Sequence, residues 1–126
     1  NLAKDSSVIL LPSLLMQVSA LIIFWSTVIH VGRNKLLIAG SDQPPLHFII
    51  TGPFKSVRHP FYATYLLSYF AVLIAIPNIL LLTLFVLIAI HYHKNASEEE
   101  QLFSLTIHGH EYAKYKQKTG MFFPNF

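Results

Sequence analysis

Gly52-Pro53-Phe54-Lys55-Ser56-Val57-Arg58-His59-Pro60-Phe61-Tyr62 is the stretch from which the rest of the chain can be read. A Gly-Pro turn leads into a basic segment, which runs directly into apolar sequence. Pro60 suits the first position of a helix, where its missing N–H leaves no bond unmade. It also biases His59, the residue before it, toward extended backbone. Arg58 and His59 therefore stand where an apolar helix begins, at a boundary with water.

The flanking sequence says what kind of boundary this is. Of 126 residues, 53% are hydrophobic and 12% charged, against about 25% charged in a typical soluble domain. No Asp, Glu, Lys or Arg occurs from Ser6 to Gly32 or from His59 to His93. Each stretch exceeds the roughly 18 apolar residues that nominate a membrane span. An all-α integral membrane protein is expected, as one domain over residues 1–126. The chain opens with Asn1 rather than Met, and further sequence is expected before it. It has no cysteine and a formal charge of +3. The basic residues follow topology, so nucleic-acid binding is not expected; oligomeric state is not readable.

At least three transmembrane helices are predicted. The first runs over residues 8–30, with Pro12 near its start, where proline is tolerated. A polar connector follows, with a turn over Gly40 to Pro45 and a short apolar patch, Leu46 to Ile50, expected at the membrane surface. From Val31 to Phe61, Arg33, Lys35, Lys55 and Arg58 face only Asp42. This excess of basic residues places the loop on the cytoplasmic side. Spans over 61–76 and 79–92 form a short helical hairpin around Pro77-Asn78. The hairpin returns the chain to the face that carries Arg58. The tail over 93–126 is then cytosolic and helical. Ser97 to Glu100 fits a capping box opening a new helix, although a third span running on unbroken fits too. Gly109 is expected to end that helix, and a last one covers Glu111 to Lys118, with Tyr112 and Tyr115 on one face.

The histidines do not make a metal site. His91 and His93 are two apart, and His108 and His110 flank Gly109. Neither pair has the i, i+4 spacing of a helical metal pair. Taken singly, Arg58 reads as a snorkelling anchor, Glu100 as a helix cap, and Tyr112 and Tyr115 as interfacial anchors.

Taken together, the residues resemble a family. Gly52-Pro53-Phe54, Val57-Arg58-His59-Pro60-Phe61-Tyr62, the proline-turned hairpin, Glu99-Glu100, Gly109-His110-Glu111-Tyr112-Ala113-Lys114-Tyr115 and Pro124 follow in the order seen in membrane methyltransferases. That superfamily includes isoprenylcysteine carboxyl methyltransferases and phospholipid N-methyltransferases. The chain departs from the pattern at Thr64, where a glycine is common, and at His108, where an aromatic is.

The resemblance implies methyl transfer from S-adenosylmethionine at the cytosolic membrane face, with a cofactor loop over 46–60. Arg58 and Glu100 are the expected catalytic residues. Arg58 would grip the donor's carboxylate, aided by the helix N-terminus at Pro60. Glu99 or Glu100 would take its ammonium. His59 and Tyr62 would pack on adenine or ribose, and Tyr112 and Tyr115 would close the pocket. The tail, with its run Glu98-Glu99-Glu100, leans toward the carboxylate of a prenylated cysteine as acceptor. A phospholipid amine is the alternative; a nicotinamide-dependent sterol-reductase-like enzyme and a non-enzymatic membrane subunit are the others.

Overall fold

The computed structural model describes residues 2–39 and 48–125, with side chains described from residue 5 to 35 and from 48 to 125. The turn expected over Gly40 to Pro45, and Leu46, lie outside the described residues. Among the described residues four helices follow in order: α1, Leu2–Ala39; α2, Pro60–Ala75; α3, Ile79–Ser104; and α4, Gly109–Lys118. A 3-10 turn, Gly52–Lys55, precedes α2.

α1 and α2 pack antiparallel along a stripe of small residues. Ser13, Ala20 and Thr27, spaced seven apart, are buried on α1; Pro60, Thr64 and Ala71 are buried on α2. Without a hydrophobic driving force in lipid, helices associate through such close approach and through hydrogen bonds. Both are present. Ser13 Oγ donates to the Ala71 carbonyl at 2.6 Å, and Gln17 and Ser68 exchange two hydrogen bonds. At the far end Phe24 meets Phe61 edge-on at 5.7 Å.

The chain reverses at Pro77. Asn78 caps α3 by accepting from the Leu80 N–H at 2.7 Å. α3 then returns along α2, with Phe85 against Phe70 and Tyr92 stacked on Tyr62 at 4.9 Å. The other faces of α1 and α3 are apolar and exposed. These two helices are long and apolar enough to cross a membrane; α2, with 16 residues, is shorter.

Several expected boundaries are corrected. α1 extends beyond 8–30 at both ends, so Pro12 lies inside the helix rather than in its first turn. No Ser97 cap forms, because α3 runs unbroken past residue 92 to Ser104. Ser97 instead donates to the His93 carbonyl one turn back. His91 to Ala96 contain neither proline nor glycine, so nothing interrupts the backbone ladder. Gly109 opens α4 rather than ending its predecessor. The turn there is tight enough that a Cβ on Gly109 would strike the Ser104 carbonyl. Leu102 and Leu105 are exposed, and Phe103 packs against aromatic neighbours.

Replacing Ala71 by Leu forces α1 and α2 apart and is expected to cost about 1–3 kcal/mol. Thermal denaturation in detergent measures this, with the exposed Leu14→Ala as a nearly neutral control.

Candidate active site

The basic segment is held by two devices. The first is backbone pairing. Arg58 N–H donates to the Gly120 carbonyl at 2.9 Å and His59 N–H to that of Met121 at 3.1 Å, so the motif and the tail form a short parallel bridge. Gly120 is required for it, because a Cβ there would collide with the Phe123 carbonyl. The second is the turn before it. Gly52 has φ +60°, and a side chain there would run into the His30 imidazole, which itself bonds Thr51 Oγ1 at 2.9 Å.

Arg58 reaches inward from this bridge to Glu100 on α3. Its Nε donates to Glu100 Oε1 at 2.7 Å, and both side chains are buried. Its Nη1 donates to the carbonyls of Lys116, at 3.2 Å, and Thr119, at the end of α4. A cation suits a helix C-terminus, where carbonyls lack intrahelical donors. Glu100 Oε1 also accepts from His59 Nε2 at 3.1 Å. Glu100 Oε2 lies 3.0 Å from Lys116 Nζ, an ionic contact rather than an aligned hydrogen bond.

Glu99 differs from its neighbour. Its side chain is 48% exposed, against 2% for Glu100. Tyr62 Oη donates to Glu99 Oε1 at 2.8 Å, and Glu99 Oε2 stands 3.6 Å from His59 Nδ1. Burial keeps His59 neutral, and with Nε2 at 3.1 Å from Glu100 and Nδ1 at 3.6 Å from Glu99, its one proton is assigned to Nε2, leaving Nδ1 bare toward Glu99. Burial lowers the His59 pKa below its ordinary 6.5, against the raising influence of Glu100 and Glu99.

These groups border a cavity of about 750 Å³ between α1, the 3-10 turn and the starts and ends of α2, α3 and α4. Its wall is largely aromatic, with Phe24, Phe61 and Tyr65 on one side and Phe48, Phe103, Tyr112 and Tyr115 on the other. Glu99, Arg58, His59 and Lys35 supply the polar edge. Tyr112 is buried between Phe48, at 5.0 Å, and Phe103, at 5.2 Å. Tyr115 Oη donates to the Phe54 carbonyl at 2.6 Å. Burial raises both phenols, Tyr115 to about 12, so both stay neutral.

All eight residues singled out from the sequence thus converge. Arg58, His59, Pro60, Tyr62, Glu99, Tyr112 and Tyr115 line the cavity, while Glu100 lies behind the wall. Phe48 stands on the cavity wall against Tyr112 and Tyr115, where its stretch was expected to lie on the membrane surface. Lys116, the Thr119 carbonyl, Tyr92 and Phe122 were not foreseen. Their contacts join segments far apart in sequence, and no local pattern marks them.

Comparison with protein families gives a match to the phospholipid methyltransferase family over residues 8–109. That segment covers most of the chain, from α1 to the first residue of α4. The chain belongs to this family and is a methyltransferase. The family and the two long apolar helices make it a membrane protein. Comparison with curated proteins and with solved structures gives no match.

Arg58→Ala would leave Glu100 buried without its main partner, and a loss of about 3–5 kcal/mol is expected. The double variant Arg58→Ala/Glu100→Ala should be less destabilised than the sum of the single changes, as measured by denaturation in detergent.

The His59 linkage has a definite sign. Below pH 6.5 the unfolded imidazole takes up a proton that the folded one resists. Stability should fall as pH drops from 6.5 toward the lowered folded value. Melting temperatures between roughly pH 7.5 and 5.5 should show this decline, flattened in His59→Gln.

Proposed function

We infer that this protein transfers a methyl group from S-adenosylmethionine to the amino headgroup of a phospholipid. The observation that carries the reading is an aromatic cavity whose accessible carboxylate is Glu99. Aromatic faces and one carboxylate are the chemistry that receives cations, and both the methyl donor and an amine acceptor are cationic. The family match favours a phospholipid amine over the prenylcysteine carboxylate suggested by the tail. It likewise favours methyl transfer over nicotinamide chemistry or a non-enzymatic role.

The cavity fits the donor in kind. Phe48 and Tyr115 offer aromatic surface for an adenine. Arg58 has Nη2 outside the bonds that fix its Nε and Nη1 and can direct it to a carboxylate. S-adenosylmethionine, when bound, supplies an electrophilic methyl on a sulfonium and departs as a neutral thioether. The protein's own task is alignment and exclusion of water.

A lipid amine reaches the membrane surface as an ammonium, whose nitrogen has no lone pair to attack. It must first lose a proton. Glu99 Oε2, with the bare Nδ1 of His59 at 3.6 Å, forms a pair that can take that proton and hold it between them. Glu100, tied to Arg58 and Lys116, keeps the imidazole oriented. The freed nitrogen would then be able to take the methyl, and the proton would remain on the Glu99–His59 pair until it is released to water.

For topology, we read all three of α1, α2 and α3 as crossing the membrane. At about 24 Å, α2 crosses as the short arm of a hairpin. The basic connector supports a cytosolic site.

The test is methyl transfer from labelled S-adenosylmethionine to phosphatidylethanolamine in mixed micelles. The wild-type chain should label the lipid amine and leave a prenylcysteine unlabelled. Glu99→Gln should lower the rate by about 100-fold or more while S-adenosylhomocysteine still raises the melting temperature. A carboxyl methyl ester on prenylcysteine, with no labelled lipid amine, would overturn the acceptor assignment.

A further inference from the structure

The cavity contains a cation that the chemistry above does not use. Arg58 is bound through Nε and Nη1 to Glu100 and the end of α4, and its Nη2 is directed above to the donor's carboxylate. Lys35, also on the wall, is exposed and has no ionic partner among the described residues. Its position on α1 is informative. Phe24, Val31 and Lys35 line the cavity and are spaced seven and four apart, so they form one stripe of the helix. At 1.5 Å per residue this stripe rises roughly 16 Å. It starts inside the uncharged stretch that ends at Gly32 and finishes beyond it, at the depth where lipid headgroups meet water.

The wall therefore presents, in order, an apolar level at Phe24, a cation at Lys35 and, on the facing helices, the Glu99 carboxylate with its aromatic neighbours. A phospholipid with an amino headgroup has the complementary sequence: acyl chain, phosphate, ammonium. We propose that Lys35 holds the phosphate of the acceptor lipid. The assignment rests on the proposed function. The donor's carboxylate is the other anion that enters such a site, and the experiment separates the two.

Lys35→Gln, Lys35→Arg and Arg33→Gln are compared with the wild-type chain in mixed micelles. Arg33 is an exposed cation two residues away that does not line the cavity, and it controls for general surface charge. Two quantities are read: kinetic constants for phosphatidylethanolamine, and equilibrium binding of S-adenosylhomocysteine. The expected result is a KM for the lipid raised about tenfold or more in Lys35→Gln. Lys35→Arg should restore it in large part, Arg33→Gln should match wild type, and binding of the donor product should not change. Weakened S-adenosylhomocysteine binding with an unchanged lipid KM would overturn the proposal and assign Lys35 to the donor. Equal effects of Lys35→Gln and Arg33→Gln, or none, would overturn it as well. A wild-type chain that neither binds S-adenosylhomocysteine nor methylates lipid would instead overturn the functional reading beneath it.

Discussion

The arrangement depends on one buried ion pair. Arg58 and Glu100 meet at 2.7 Å, with little of either side chain exposed. Two charges removed from water are costly unless geometry and further hydrogen bonds satisfy them. Here further contacts offset part of that cost. The guanidinium also binds the end of α4, and the carboxylate also receives His59 and Lys116. One pair thereby joins the segment before α2, the polar end of α3, and α4. Removing any member leaves another buried and unmatched, so these residues stand or fall together.

That pairing divides the work between two adjacent glutamates. Glu100 is committed to the scaffold, and its neighbour is left to face the cavity. Successive residues on a helix point about 100° apart, so a pair of acids at the end of α3 necessarily aims at two different places. The stacked column of His59, Tyr62 and Tyr92 fixes the groups around Glu99 without using up its carboxylate. A cavity walled by aromatic rings and edged, among the described residues, by the accessible Glu99 and Lys35 is suited to ligands that are cationic at one point and anionic at another.

The helices serve this site through packing rather than chemistry. Small residues at seven-residue spacing on α1 let α2 come close, and two side-chain hydrogen-bond pairings fix their register. The Pro77 reversal then returns α3 alongside α2. Arg58 and Glu100, 42 residues apart in sequence, become neighbours because the two arms of the hairpin are tied at its closed end.

The apolar stretches, the break at Pro77-Asn78 and the helix start at Pro60 are legible in the sequence, and the ordered motif marks the eight residues that meet at the cavity. Each of these is a local signal: absence of charge over a long run, a residue that cannot continue a helix, or an ordered motif. It did not determine where α3 ends. Ser97 to Glu100 satisfies a capping pattern, yet continuing an unbroken backbone ladder meets no obstacle at that point. Nor did it separate the roles of Glu99 and Glu100, or mark Lys116 and Lys35 beside the cavity. Those were decided by tertiary structure, because burial and partnership are properties of neighbours distant in the chain. A carboxylate becomes scaffold or reagent according to whether an arginine from another segment reaches it first.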